Sequence, residues 1–161
     1  MYHERDRETL IVIKPDAVRG SDSDVVSRFE DVGMKIMGMK MVRRGSAARG
    51  HYSEHVDKEF YDRLVEYMKQ GPVVAMALEG VNAVENCRKI IGDTNPKDAN
   101  PSTIRGRYGH MSFAHADGSD STHQNLVHAS ATPEEAEKEV GIWFEDDELH
   151  DYRIGSEEHV R

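Results

Sequence analysis

The chain has 161 residues, of which 37% are apolar and 32% are charged, and its formal net charge is −9. This acidic balance argues against non-specific binding to nucleic acids or membrane surfaces, and periodic blocks of apolar residues exclude a disordered chain. The length predicts a single domain over residues 1–161, large enough to bury a core.

Blocks of apolar residues alternate with amphipathic segments along the chain. The apolar runs predict four strands, at Thr9–Lys14, Met34–Val42, Val73–Gly80 and Asn125–Ser130. Apolar residues at helical spacing predict helices at Ser21–Gly33, Lys58–Pro72 and Thr132–Phe144. We expect two further helices, at 46–56 and at Asn82–Gly92. Residues 93–124 are polar and rich in turn formers, so they predict a long loop, which is usually functional.

Two of these helices begin with the pattern of a capping box. Glu85 follows Asn82 by three residues, and Glu135 follows Thr132 by three residues, with Pro133 between them. The order of elements, β-α-β-α-α-β-α-β-α, predicts an α+β fold. We expect a ferredoxin-like (split βαβ) antiparallel four-stranded sheet covered by helices.

Cysteine content and the N-terminal composition favour a cytoplasmic protein. Cys87 is the one cysteine of the chain, so no intramolecular disulfide can form, which is typical of a reducing compartment. The opening residues, MYHERDRETL, are charged and lack the apolar segment of a signal peptide. No apolar run approaches the length of a membrane span.

His128 stands at the end of the last predicted strand and allows two interpretations. A lone histidine in a strand is most often a partly buried packing residue. Here, however, the small residues Ala129 and Ser130 leave the ring approachable from one side. Glu139, on the flank of the next helix's apolar face, could turn back toward the sheet. A carboxylate bonded to one ring nitrogen would leave the other as a lone-pair nucleophile.

Three basic residues could together neutralise a polyphosphate: Lys14, Arg88 and Arg105. Each alone is most often a solvated charge or an ion-pair partner. As a group they match the needs of phosphoryl transfer, in which negative charge on the transferred group must be stabilised. The chain carries no Walker-A run, so a P-loop mechanism is disfavoured.

Six short motifs follow one another along the chain: IVIKPDAV, HYSEH, GPVVAMALEG, GDTNP, TIRGRYG and NLVHAS. Together they resemble the nucleoside diphosphate kinases from about Thr9 to Tyr152, and the long loop before the histidine is similar to that of archaeal members. The resemblance implies that a nucleoside triphosphate phosphorylates His128, which passes the phosphoryl group to a nucleoside diphosphate by a ping-pong mechanism. It further implies Mg²⁺ carried by the nucleotide phosphates rather than by protein ligands, and a homo-oligomer, usually a hexamer.

The resemblance also assigns roles to individual residues. The catalytic group would be His128, Glu139, Lys14 and Tyr52, with Glu139 orienting the histidine. Six residues would surround the nucleotide: Lys14 and Asn125 at the ribose, Lys14 also at the phosphates, Arg88, Thr94 and Arg105 at the outer phosphates, and Phe60 stacked on the base. Because stacking requires only a π face, we expect weak selectivity among bases.

The chain departs from the family pattern beside the histidine. Ala129 and Ala131 stand where a glycine and an acidic residue are usual, and Ala129 predicts a negative φ.

Two other functions stay open. One is a non-catalytic nucleotide-binding module on the same fold. The other is a zinc hydrolase, because HYSEH matches the H-x-x-E-H peptidase pattern, with His51 and His55 as ligands and Glu54 as base.

Overall fold

The computed structural model describes residues 7–43, 62, 66, 68–118 and 125–155. Its strands are Glu8–Ile13 (β1), Lys35–Val42 (β2), Val73–Glu79 (β3) and Val127–Ala129 (β4). Its helices are Pro15–Val18 (α1), Asp22–Asp31 (α2), Ala83–Ile91 (α3), Ile104–Tyr108 (α4), Phe113–Gly118 (α5) and Pro133–Trp143 (α6). A 3₁₀ turn over Asp146–Glu148 follows.

The four strands form one antiparallel sheet in the order β2-β3-β1-β4. β1 therefore lies between β3 and β4. Its continuous apolar run fits its burial on both faces, since each face packs into a hydrophobic cluster. The register places His128 of β4 opposite Val12 of β1. The predicted α+β fold with a four-stranded antiparallel sheet and covering helices is confirmed.

The sheet separates two hydrophobic clusters. Because strand side chains alternate between faces, β1 sends Ile11 and Ile13 into one cluster and Leu10 and Val12 into the other. The first cluster contains side chains of α2 and α3, among them Cys87, and burial raises the pKa of that thiol to about 12. Helix α6 closes the second cluster and packs on β1.

Two local predictions are wrong. The predicted capping box at Asn82 does not form, and the Asn82 side chain makes no capping bond. Asn82 has a φ of 48°, whereas the backbone of a capping residue is normally extended. The predicted loop 93–124 contains α4 and α5. The hydroxyl of Thr103 accepts from the Gly106 N–H and begins α4, a capping signal that a reading of this segment by composition alone overlooks.

Other local predictions are confirmed. Thr132 caps α6 by accepting from the Glu135 N–H, and Ala129 avoids positive φ.

Some predicted boundaries differ from the structure or lie outside its described part. β1 ends one residue before the predicted strand end, so Lys14 becomes the residue before α1. The predicted helix 46–56 and most of Lys58–Pro72 lie outside the described residues, although 68–70 are helical. Within the described segments, no helix combines the length and apolar character needed to cross a membrane.

Candidate active site

His128 and Glu139 meet where β4 passes beside α6. The His128 Nε2 atom lies 3.1 Å from the Glu139 Oε2 atom. The carboxylate is buried, whereas the imidazole keeps 26% of its side-chain surface exposed. The ring is therefore anchored on one side and still reachable by a ligand.

Ser130 shares the Glu139 oxygen with the histidine ring. The Leu10 N–H donates to the Ser130 Oγ over 3.2 Å, and that hydroxyl donates to Glu139 Oε2 over 2.7 Å. An ionised carboxylate can only accept, so the His128 Nε2 must also donate to it. From this network we assign the Nε2–H tautomer, in which the ring lone pair is on Nδ1.

Lys14, Asn125 and Thr94 form a second hydrogen-bonded group. The buried Lys14 Nζ donates to the Asn125 Oδ1. The amide nitrogen of Asn125 in turn donates to the Thr94 carbonyl over 3.0 Å. A cation at the end of β1 is thus tied to the residues just before β4 and to the loop that follows α3.

Arg105 joins that loop to the strand of the histidine. Its guanidinium donates to three backbone carbonyls: Nε to Asn125 over 3.1 Å, Nη1 to Gly92 over 3.1 Å and Nη2 to Val127 over 2.7 Å. The side chain is buried and belongs to α4 rather than to an irregular loop. A positive charge is therefore fixed next to the main chain of residues 125–127.

The remaining predicted site residues divide into two groups. Arg88 is exposed in the last turn of α3, and its carbonyl accepts from the Gly92 N–H, which places its backbone next to the loop that Arg105 contacts. Tyr52 and Phe60 lie outside the described residues, as does the motif of the zinc alternative, residues 51–55.

The turn before β4 contains an unusual backbone conformation that the sequence did not indicate. Leu126 has a φ of 71°, and the Val127 N–H donates to the Asn125 carbonyl over 2.8 Å. A bond from i+2 to i around a residue of positive φ is the rare, strained form of γ-turn. The Asp16 carboxylate accepts the Leu126 N–H over 2.9 Å.

Sequence reasoning thus missed Asp16 and gave Ser130 no role beyond its small size. A signal for Ser130 existed, because it lies two residues after His128, on the same face of an extended segment. Asp16 gave none beyond its place in IVIKPDAV, since its bond to Leu126 joins residues 110 positions apart.

Comparison with known proteins decides the family. The family model for nucleoside diphosphate kinase matches residues 7–149. The chain belongs to the nucleoside diphosphate kinase family. The nucleoside diphosphate kinase of Pyrococcus furiosus is 46% identical over 146 residues, which cover 89% of this chain and 86% of that one.

Solved kinase structures agree with the fold. A transition-state mimic of the Borrelia burgdorferi nucleoside diphosphate kinase has a TM-score of 0.80 at 37% identity, covering 94% of each chain. The halophilic nucleoside diphosphate kinase of Halobacterium salinarum has a TM-score of 0.73 at 39% identity, covering 97% of this chain and 99% of that one. The kinase resemblance and the predicted ferredoxin-like fold are therefore confirmed.

The described part of this kinase-family chain contains no cluster of side chains suited to bind a metal ion. Among residues 7–43, 68–118 and 125–155, no three or more His, Cys, Asp or Glu side chains gather as metal ligands would.

Proposed function

We propose that this member of the nucleoside diphosphate kinase family transfers the terminal phosphate of a nucleoside triphosphate to a nucleoside diphosphate through a phosphohistidine at His128. One observation carries the proposal. The ring is held through Nε2 by a buried carboxylate, and the imidazole keeps 26% of its side-chain surface exposed, which is the arrangement of an oriented nucleophile that a substrate can reach.

The reaction has two chemically balanced halves. In the first, the Nδ1 lone pair attacks the γ-phosphorus, the bond from that phosphorus to the β,γ-bridging oxygen breaks, and the nucleoside diphosphate leaves with the electron pair. In the second, a terminal oxygen of the acceptor diphosphate attacks the phosphorus and the P–N bond breaks, which returns the pair to Nδ1. Glu139 balances the positive charge that the ring acquires in the transition state.

The nucleotide would lie over the two hydrogen-bonded groups. We assign Lys14 and Asn125 to the ribose, with Lys14 also reaching the phosphates, and Arg88, Thr94 and Arg105 to the outer phosphates. The bonds that link Lys14, Asn125, Thr94 and Arg105 support this grouping. Tyr52 as a catalytic residue and Phe60 beneath the base complete the proposed site.

The substrates would be nucleotides that carry Mg²⁺ on their phosphates, where the ion would offset phosphate charge and would need few protein ligands. Two relatives support a broad choice of base. The Borrelia burgdorferi structure holds ADP with vanadate, and the Halobacterium salinarum structure holds CDP. We therefore propose weak base selectivity.

The working protein would be a cytoplasmic homo-oligomer, most simply a hexamer. The edge strand β2 supports assembly, because Met39 and Met41 keep 55% and 61% of their surfaces exposed on it, and large exposed apolar side chains mark interaction sites. Light scattering at low and high salt would measure the mass, and a monomer in both would remove the assembly proposal.

Labelling with γ-³²P-ATP tests the reaction. We expect an acid-labile, base-stable phosphoprotein that GDP discharges with formation of labelled GTP. His128→Ala should lose the label and all turnover while it stays folded. His150→Ala changes an exposed histidine of the C-terminal segment, residues 145–155 after α6, and should keep both the label and the turnover. Nucleotide binding without label in the wild-type protein would instead support the non-catalytic module.

A further inference from the structure

The γ-turn at Leu126 connects the two halves of the proposed site. On its N-terminal side, Asn125 contacts Lys14 and Thr94 through its side chain and Arg105 through its carbonyl. On its C-terminal side, β4 begins at Val127 and carries the histidine. Arg105 also donates to the Val127 carbonyl on that side, so the turn and the Arg105 guanidinium together set where the nucleotide contacts lie relative to the nucleophile.

Leucine does not favour this conformation. A positive φ brings the Cβ of a non-glycine residue too close to its own backbone, and such strain persists only where the surroundings over-determine it. Glycine would remove the strain, but the Leu126 side chain is buried in the hydrophobic cluster beside β1. The sequence thus keeps an apolar side chain here and needs other contacts to hold the backbone.

Those contacts come from the segment that follows β1. The Lys14 N–H donates to the Leu126 carbonyl over 2.8 Å, and the Asp16 Oδ2 accepts the Leu126 N–H over 2.9 Å. Both backbone polar groups of the strained residue are therefore fixed by residues two positions apart. A bond from an N–H to an ionised carboxylate is about twice as strong as a neutral one, so Asp16 supplies the stronger hold.

We propose that Asp16 is a positioning residue for the phosphoryl transfer. It acts through the Leu126 turn, and it holds Asn125 and Arg105 in register with His128. The inference rests on the proposed function, because it concerns the geometry of the same site. Without Asp16, the Leu126 N–H loses its acceptor and the turn relaxes toward negative φ, which displaces Asn125 from the nucleophile.

Kinetics of three variants test the proposal. Misplacement of a catalytic group by about 1 Å can cost about 100-fold in rate, so we expect kcat/KM of Asp16→Ala to fall by about 10- to 100-fold. Asp16→Asn keeps an acceptor oxygen and should lose only about 2- to 5-fold, as expected for a neutral bond of about half the strength. Asp24→Ala removes the same charge from an exposed site on α2 and should leave kcat/KM unchanged.

A double-variant cycle separates positioning from simple loss of stability. Glycine reaches positive φ without strain, so Leu126→Gly should make the turn independent of Asp16. Asp16→Ala in the Leu126→Gly background should then cost less than about 3-fold, relative to Leu126→Gly alone. A structural role would give the same loss in both backgrounds, and that result would overturn the proposal.

Folding and function are kept apart by two readouts. All assays are made at least 15 °C below each variant's Tm, and exchange of the Leu126 amide proton is followed by NMR, with faster exchange expected in Asp16→Ala. If Asp16→Ala does not fold, the comparison of Asp16→Asn in the two backgrounds takes its place. Full activity in folded Asp16→Ala contradicts the positioning role alone, whereas absence of phosphohistidine in the wild-type protein contradicts the proposed function.

Discussion

At the scale of single residues, the proposed nucleophile depends on a chain of donors that starts in the sheet. The Leu10 N–H, the Ser130 hydroxyl and the Glu139 carboxylate are bonded in series, and His128 donates to the same carboxylate oxygen. Because Ser130 and His128 both donate to one oxygen, the carboxylate is held in one orientation. The ring then has one defined tautomer before any nucleotide arrives.

Glu139→Gln tests this arrangement. A hydrogen bond to a charged group contributes about 1.5–3 kcal/mol, so the rate of phosphorylation should fall by about 10- to 100-fold. KM should change little, since Glu139 acts on the nucleophile rather than on the substrate. Single-turnover labelling measures the rate. Glu137→Gln, an exposed change on the same helix, is the control, and an equal rate in both variants would remove Glu139 from the mechanism.

At the scale of elements, the C-terminal segment is held against the edge strand β2. The His150 N–H donates to the Met37 carbonyl over 2.8 Å, and the Lys40 Nζ lies 2.6 Å from the Glu148 Oε2. Gly38 makes the close approach possible, because a Cβ there would lie 2.8 Å from the Glu148 carbonyl oxygen and 3.0 Å from the Phe144 ring. The glycine is needed for space rather than for an unusual φ.

Two glycine-to-alanine changes should therefore have opposite signs. Gly38→Ala forces β2 and the C-terminal segment apart, and we expect a loss of about 1–3 kcal/mol in the free energy of unfolding. Gly141 lies in α6 with open space around its Cβ position, so Gly141→Ala should gain about 0.5–1 kcal/mol. Urea denaturation measures both. A neutral Gly38→Ala would show that the close contact does not constrain the fold.

At the scale of the whole molecule, the excess of 30 acidic over 21 basic residues produces local repulsion on the sheet. Glu8 of β1 lies opposite Glu79 of β3. The pKa of Glu8 is raised above 4.5, first by burial and then by the charges of Glu137 and Glu79. The folded protein thus holds the Glu8 proton more tightly than the unfolded chain does.

The sign of the resulting pH dependence follows directly. Below a pH of about 4.5 Glu8 is protonated in both the folded and the unfolded state, so its ionisation does not change the free energy of unfolding. As the pH rises from there through the raised pKa of the folded state, Glu8 ionises first in the unfolded chain. The free energy of unfolding therefore falls over this pH range. Glu8→Gln should therefore have a higher Tm than the wild type at pH 7 and the same Tm at pH 4 or below.

Salt separates the two causes of this effect. Added salt screens the repulsion from Glu137 and Glu79 but not the cost of burial, and burial is the larger cause. The Tm difference at pH 7 should shrink at 1 M salt without vanishing. A difference that is the same at pH 4 and pH 7 would show that ionisation of Glu8 is not its origin.

The sequence by itself determined the elements and the chemistry carried by single residues. The apolar run from Thr9 and the small residues after His128 predicted β1 and an approachable histidine, because apolar pattern and side-chain size are local properties of the sequence. The pairing of Glu139 with His128 was also predicted, since the helix that follows β4 returns over the sheet after only a short connection.

Tertiary structure decided the rest, because the deciding bonds join residues far apart in the chain. The left-handed Leu126 has no local signal, and it is stable only where Lys14 and Asp16 reach its peptide groups from more than 100 positions away. The same holds for Arg105, whose three backbone contacts depend on the placement of α4 against Gly92 and β4. Local propensity predicts which residues can react, whereas long-range hydrogen bonds fix where they stand relative to one another.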